Sequence, residues 1–245
     1  MLHSVPDPHP VAELSDERSK SPDCEAAAAA RYAVLRRLAP ALKHDMVVHL
    51  QTVAMMAEVM NARMDKGEAD TVELQGNVSR INRLARQAVQ ACLKVTEWID
   101  PSADESVRLY DGVAESCDLL QSSLNFRGFT VHNAVAESDF EVSRDALRNL
   151  LPAALLGLAD AAHNSCKLTL EAQLAPDSVQ LSVCCAEHVP FTSQHGTARP
   201  QPRLHWAAVQ ALADLESVAM KISQERVCMR FPRLVPTTPL QIAPV

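Results

Sequence analysis

One short segment of the chain contains the residues best suited to nucleophilic chemistry, His44 followed directly by Asp45. A neutral imidazole is a nucleophile near physiological pH, and an adjacent carboxylate can orient the ring or hold its proton. With residues placed about 100° apart around a helix, Leu42 and Met46 fall nearly opposite His44. The spacing therefore predicts that His44 projects into solvent from the middle of a helix. The alternative that periodicity leaves open is an inert surface histidine.

Three residues share the solvent-facing side of the helix with His44, namely Val47, Val48 and Gln51. Each falls within about 60° of His44 around the helix. Folding does not explain two valines on such a face, whereas a small apolar docking surface does. We therefore expect Val47, Val48 and Gln51 to contact a partner protein.

Other polar residues nearby have a functional and a structural interpretation. Arg80, Arg83 and Arg86 are spaced along the following helical pattern. They are expected either to help neutralise a phosphoryl group or to be solvated charges on a helix surface. His49 falls on the core side of the first helix, and we interpret it as a partly buried structural histidine.

Residues 25–99 predict two helices, because their apolar residues recur at steps of three and four. A break at 65–70 includes Gly67, which suits a left-handed helix end. Because the loop is short, the helices are predicted to form an antiparallel hairpin. Two long apolar stripes cannot bury themselves within one hairpin, so we expect a homodimer that forms a four-helix bundle. The alternative is that the hairpin packs on its own C-terminal region. The stripe of the second helix is Leu74, Val78, Ile81, Ala85, Ala88, Cys92, Val95 and Ile99.

Composition and sequence pattern divide the remaining chain into a second domain, a linker and two tails. Residues 1–24 are rich in proline and are predicted to be a disordered tail, as are residues 234–245. Residues 100–105 read as a linker. Residues 106–233 alternate helix and strand patterns in the order β-α-β-α-β-β-α-β-β, which predicts an α/β sandwich with one sheet and helices on one face.

Composition excludes several classes of function. The formal net charge of −7 argues against nucleic-acid binding. Only 6 glycines are present, and they are scattered, so no phosphate-binding loop of the Walker or Rossmann type exists. The 7 cysteines form no C-x-x-C pair, so we expect free thiols and no metal site. No apolar run is long enough to span a membrane and no signal peptide is recognisable, so the protein is predicted to be cytoplasmic.

The segment KHDMVVHLQTVAMMAEV resembles the H-box of bacterial sensor histidine kinases, in which a histidine followed by an acidic or polar residue accepts phosphate. The layout of residues 31–233 is also similar to the core of those proteins. The resemblance implies a dimeric helical bundle followed by a histidine-kinase-ATPase-like domain. It implies that His44 is the phospho-acceptor and Asp45 the acid that orients it.

The second domain departs from the kinase pattern at each position that the resemblance assigns to ATP. In the register that matches Leu-Ala-Asp-Ala, the two magnesium-binding asparagine positions hold Ala153 and Gly157. A register a few residues away places other apolar residues there, and Asn149 lies one turn earlier. The segment 183–190 lacks the Asp-x-Gly-x-Gly turn, and the loop before the last helix lacks a glycine-rich lid. The chain therefore resembles a degenerate kinase core of the histidine phosphotransferase type, which passes phosphate between response-regulator receiver domains in a phosphorelay.

This resemblance implies no cofactor of the protein's own, because the receiver brings its own Mg²⁺ and lysine. It also implies little phosphatase activity, because Val48 stands where phosphatase-competent kinases place Asn, Thr or Gln. Two alternatives remain at this point. One is a non-catalytic pseudokinase scaffold that binds a response regulator and does not use His44. The other is an active histidine kinase with a divergent ATP site.

Overall fold

The computed structural model describes residues 22–67, 70–99, 105–162, 164–188 and 204–234. It begins with two long helices, α1 (Pro22–Asp65) and α2 (Thr71–Ile99). Gly67 follows α1 with a φ of 69°, the left-handed conformation expected for it. Arg63 near the end of α1 forms an ion pair with Glu73 near the start of α2. The two helices therefore form the predicted antiparallel hairpin.

The start of α1 follows ordinary helix chemistry. Pro22 is its first residue, and Asp23 and Glu25 lie in its first turn, where acidic side chains favour the helix dipole. The expectation of a disordered tail is thus wrong for 22–24, which are helical. The rest of that tail, the second tail beyond 234 and the linker residues 100–104 lie outside the described residues.

The second region contains three helices and seven strands, whose order agrees with the prediction except for one additional short strand, β3. The helices are α3 (Leu109–Phe126), α4 (Arg144–Ala161) and α5 (Trp206–Leu215). The strands are β1 (Ser106–Arg108), β2 (Thr130–Asn133), β3 (Glu141–Ser143), β4 (Cys166–Leu174), β5 (Ser178–His188), β6 (Ala219–Ile222) and β7 (Arg226–Pro232).

The strands form two sheets, so the expectation of a single sheet is wrong. Five strands lie in the order β2-β4-β5-β7-β6, with β2 and β4 parallel and the other neighbours antiparallel. The strands β1 and β3 pair only with each other, with Val107 opposite Val142. Each has three residues and leads directly into a helix, so neither continues into the larger sheet. The architecture is a helical hairpin followed by an α/β sandwich.

The helical layer of the sandwich is covered by the first half of α1. On α4, almost every side chain from Ala146 to Ala159 is buried. Five apolar residues of α1 belong to the same hydrophobic core; they are Ala27, Ala30, Val34, Leu38 and Leu42. The alternative in which the hairpin packs on its own C-terminal region therefore holds for this half of α1.

Beyond Leu42 the apolar stripe of the hairpin is much less covered. Leu50 continues the periodic pattern of Leu38 and Leu42, yet 51% of its surface is exposed. In a single chain Leu50 therefore stays outside the core. The reason is geometric, since the second domain reaches only the first half of the helix.

Ion pairs join α1 to the sandwich, and the one made by Arg37 is largely buried. The guanidinium of Arg37 binds both carboxylate oxygens of Asp160 on α4, with Nη2 2.9 Å from Oδ1. Arg127 donates to the same Oδ1 at 2.8 Å. Arg31 donates to Glu216, just after α5, at 2.6 Å. These contacts fix the first half of α1 against α4 and the end of α5.

The cysteines differ from the expectation of free thiols, because Cys166 and Cys185 form a disulfide between β4 and β5. Spacing along the sequence gave no sign of it, since 19 residues separate the two and only strand pairing brings them together. Burial raises the pKa of Cys117 to about 12, and burial also raises the pKa of Cys184. Both thiols are therefore protonated at neutral pH and are poor nucleophiles.

No helix in the described part of the chain has the length and apolar character needed to cross a membrane.

Candidate functional site

His44 lies on the outer surface of α1, 22 residues after its start at Pro22, and its side chain is exposed. The residues Leu38 and Leu42, on the opposite side of the helix, are buried. Helix geometry alone accounts for this contrast, because a helix that buries one face turns the other toward solvent. The imidazole is therefore presented where a second macromolecule can reach it.

The predicted docking residues surround His44 but differ in exposure. Val48 is 39% exposed, and Gln51 is also exposed. Val47 is half-buried, so it offers only part of its surface. The hydroxyl of Thr52 donates to the backbone carbonyl of Val48 at 2.8 Å. Along the same face as His44, an apolar side chain thus follows after one turn of helix (Val48) and an amide after two (Gln51). The side chain of the predicted orienting acid, Asp45, lies outside the described part of the structure.

Pro40 lies inside α1, one turn before His44. A proline lacks the N–H that would bond to the carbonyl of residue i−4, and its ring crowds that carbonyl. The helix is therefore weakened locally between the half that packs on the sandwich and the half that carries His44.

Two apolar grooves lie along the described part of the hairpin. One, of about 340 Å³, lies between α1 and α2 and includes Leu50, Val53, Val89 and Leu93 in its walls. The other, of about 350 Å³, lies near the end of α2. Leu93 is 50% exposed and Val89 is 56% exposed. Such a surface is unusual for a chain that stands alone in water.

His49 lines a separate, charged cleft between the hairpin and the sandwich. It is half-buried, as predicted, and the cleft also includes Arg83 and Arg86 of α2. His44 is not among the residues of this cleft. The structure therefore groups these two arginines with His49, while Arg80 is exposed outside the cleft.

The face of α4 that the resemblance assigns to nucleotide binding is filled by the protein itself. Ala153 is fully buried, and Gly157 lies against the indole of Trp206. A Cβ atom at Gly157 would be 2.5 Å from Cη2 of that indole, so no larger side chain fits there. Asn149, one turn earlier, donates its amide to Glu216 at 3.2 Å. Sequence reasoning noted the missing asparagines but missed Trp206 as the residue that packs there.

Sequence reasoning also missed the charged residues of α4. Arg148 is 5% exposed, stacks on Trp98 at 5.2 Å, and binds Glu97 and Glu115. An arginine within the apolar helix RDALRNLLPAALLGLADA was the available signal for this cluster. Among the residues that the structure describes, no group of three or more His, Cys, Asp or Glu is placed to hold a metal ion.

No family model matches the sequence, and no curated protein matches it either. Several solved structures are similar in architecture. The Acinetobacter baumannii histidine kinase AdeS is 13% identical, over 75% of this chain and 95% of its own, with a TM-score of 0.41. A histidine kinase from Burkholderia phymatum STM815 is 12% identical, over 83% and 96%, with a TM-score of 0.40. A bacterial phosphotransferase is 14% identical, over 80% and 95%, with a TM-score of 0.35. These likenesses are remote.

Proposed function

We propose that the protein is a histidine phosphotransferase of a two-component phosphorelay, which carries a phosphoryl group on His44 between the aspartates of response-regulator receiver domains. The observation that carries the proposal is the exposed His44 in the middle of α1, opposite the buried Leu38 and Leu42 and beside the exposed Val48 and Gln51. An exposed histidine with a small apolar surface beside it suits a nucleophile that must meet another protein.

The transfer requires little machinery from this chain. An imidazole nitrogen of His44 attacks the phosphorus of the receiver's aspartyl phosphate in line. An N–P bond forms as the P–O bond breaks, and the receiver's aspartate leaves as a carboxylate. Asp45 holds the proton on the other ring nitrogen, which keeps the attacking nitrogen free. The receiver supplies Mg²⁺ and lysine to neutralise the charge of the transferred group, so this protein contributes position rather than a cofactor.

The packing of α4 supports a role in phosphoryl transfer rather than ATP-dependent kinase activity. Ala153 and Gly157 carry no ligand atom, and Trp206 fills the space beside Gly157. The first half of α1 covers the same helical layer through Arg37 and Arg31. A nucleotide would have to displace these contacts before it reached α4.

We further propose that the hairpin forms a homodimeric four-helix bundle. Supporting this are the apolar residues of α1 and α2 that one chain leaves uncovered, including Leu50, Val89 and Leu93. Burial of apolar surface contributes about 25 cal/mol for each Å², so a second copy on this face stabilises both chains. The bundle would leave His44 on the outside, because it lies on the other side of α1 from Leu42 and Met46.

Two variants separate chemistry from docking. His44→Ala should abolish uptake of label from a phosphorylated receiver, while receiver binding and circular dichroism stay as in the wild type, since an exposed side chain leaves no cavity. Val48→Asp should retain the nucleophile but weaken receiver binding, because it places a charge beside the receiver's acidic pocket. His132→Ala, an exposed histidine on β2, is the matched control and should behave as wild type.

The outcomes discriminate among the candidate functions. Transfer that disappears in His44→Ala while receiver binding is retained supports the phosphotransferase. Receiver binding without any labelling of the wild-type protein would instead support a non-catalytic scaffold.

A further inference from the structure

The charged cleft beside His49 has the features of an anion site that is separate from His44. Its volume is about 640 Å³, within the range of small-molecule sites. Its walls come from four helices and include five cationic side chains and two carboxylates, in a chain whose formal net charge is −7. The cationic residues are Arg83, Arg86, Lys94, Arg144 and Arg148, and the acidic ones are Glu97 and Glu115.

Both carboxylates of the cleft already form ion pairs with cationic side chains of the cleft. Arg148 Nη2 lies 3.0 Å from Glu97 and 3.2 Å from Glu115. Lys94 lies 3.5 Å from Glu115. Arg144 is neutralised from outside the cleft by Glu105, at 3.1 Å. The internal ion pairs therefore occupy the wall formed by α3, α4 and the end of α2.

The wall formed by the middle of α2 holds two cations without a carboxylate partner among the described residues. Among the described residues, Arg83 has no ion pair, and Arg86 has only a long contact of 3.4 Å from Nε to the amide oxygen of Asn82. Gln87 and Gln90 line the same wall with amide groups that can donate hydrogen bonds. In the other wall, the Nε–H of Arg148 is buried and has no hydrogen-bond partner.

The chemistry of this arrangement suits a phosphate-bearing anion. Guanidinium groups present planar forks that match phosphate oxygens, and several together suit a ligand of more than one negative charge. Arg148 is held in place by its stacking on Trp98, so part of the site is formed before a ligand arrives. His49, at the edge of the cleft, offers a further ring nitrogen.

We propose that this cleft binds a small molecule that carries two or more phosphate charges, with Arg83 and Arg86 as the main contacts. His44 lies five residues before His49 on α1 and outside the cleft. The site is therefore independent of phosphoryl transfer on His44. It is also distinct from the middle of α4, since Arg148 and Gly157 are nine residues, or about 13 Å of helix, apart.

The test is titration calorimetry of the full-length protein with inorganic pyrophosphate, at constant ionic strength. Saturable binding with a Kd below about 1 mM is expected. The double substitution R83Q/R86Q should weaken it at least about tenfold, because charge-assisted hydrogen bonds are lost. Arg80→Gln is the matched control, since Arg80 is an exposed arginine on the same helix but outside the cleft, and it should leave the affinity unchanged.

Circular dichroism of both variants checks that the fold is intact, and all three positions are exposed. Equal weakening by Arg80→Gln would mean that the ligand senses only the general charge of α2, and would overturn the proposal. So would the absence of saturable binding to the wild-type protein. A cleft that binds a glutamate-rich peptide but not pyrophosphate would likewise contradict the assignment to phosphate.

Discussion

Replacement of Arg37 by alanine tests how the long first helix is held against the sandwich. The Arg37 side chain is 4% exposed and that of Asp160 is 14% exposed, so their paired charges are largely withdrawn from water. Removing one partner of a buried pair costs about 3–5 kcal/mol, because the other charge is left without compensation. Here Arg127 still binds Asp160, so we expect the lower end, about 3 kcal/mol. That is a large share of the roughly 5–15 kcal/mol that stabilises an ordinary domain.

The assay is urea unfolding followed by circular dichroism at fixed protein concentration, applied to Arg37→Ala, Asp160→Ala and the double variant. A coupling free energy above about 1 kcal/mol is expected from this cycle, as for other groups in direct contact. Arg36→Ala is the matched control, because the exposed Arg36 donates to the hydroxyl of Tyr32 in the same helix and should change stability by less than about 0.5 kcal/mol. The reasoning fails if Arg37→Ala and Arg36→Ala have the same effect.

Three further predictions concern the exposed apolar residues of the hairpin, the packed face of α4, and Asp145 at the start of α4, whose pKa is raised. The wild-type protein should sediment as a dimer at micromolar concentration, and Leu93→Glu should shift it to a monomer with its helices intact; a monomeric wild type contradicts the bundle. Mg-ATP should show no saturable binding with a Kd below about 1 mM, measured on R83Q/R86Q so that the cationic cleft does not contribute. Burial, and then the Glu216 carboxylate, raises the pKa of Asp145, so the folded chain binds this proton more tightly than the unfolded chain does. Ionisation of Asp145 therefore costs stability as the pH rises, and Asp145→Asn should gain stability relative to wild type between about pH 3 and neutral pH. If the stabilities of the two proteins change in parallel across this pH range, the raised pKa of Asp145 is contradicted.

The helices and most strands were predictable because their signals are local. The steps of three and four along α1 and α2, and the turn at 175–177 between β4 and β5, depend on neighbouring residues only. The strand β3 was missed because three residues carry too little pattern, and its pairing with β1 spans 35 positions.

The extent of burial on α1 could not be read from its pattern. Leu38, Leu42 and Leu50 belong to one periodic stripe, yet the first two are buried and the third is half exposed. The difference arises because the second domain reaches only the first half of α1, where Arg37 pairs with Asp160, 123 residues away in sequence. Periodicity indicates that one face of a helix is apolar, but it does not indicate which part of the protein covers that face.

The candidate site was predictable to a similar degree. The exposure of His44 follows from helix geometry, since Leu42 and Met46 mark the opposite face. The cleft beside His49 was not predictable, because Arg83 and Arg148 lie on helices whose approach depends on the packing of the whole sandwich.

The most direct test of the central claim is to locate the phosphoryl group after the protein has been incubated with a phosphorylated receiver. Digestion at alkaline pH preserves phosphohistidine, and mass spectrometry of the peptides then distinguishes His44 from His49. We expect phosphate on His44 in the wild-type protein and none on either histidine in His44→Ala. Phosphate on His49, or uptake by His44→Ala at the wild-type rate, would contradict it.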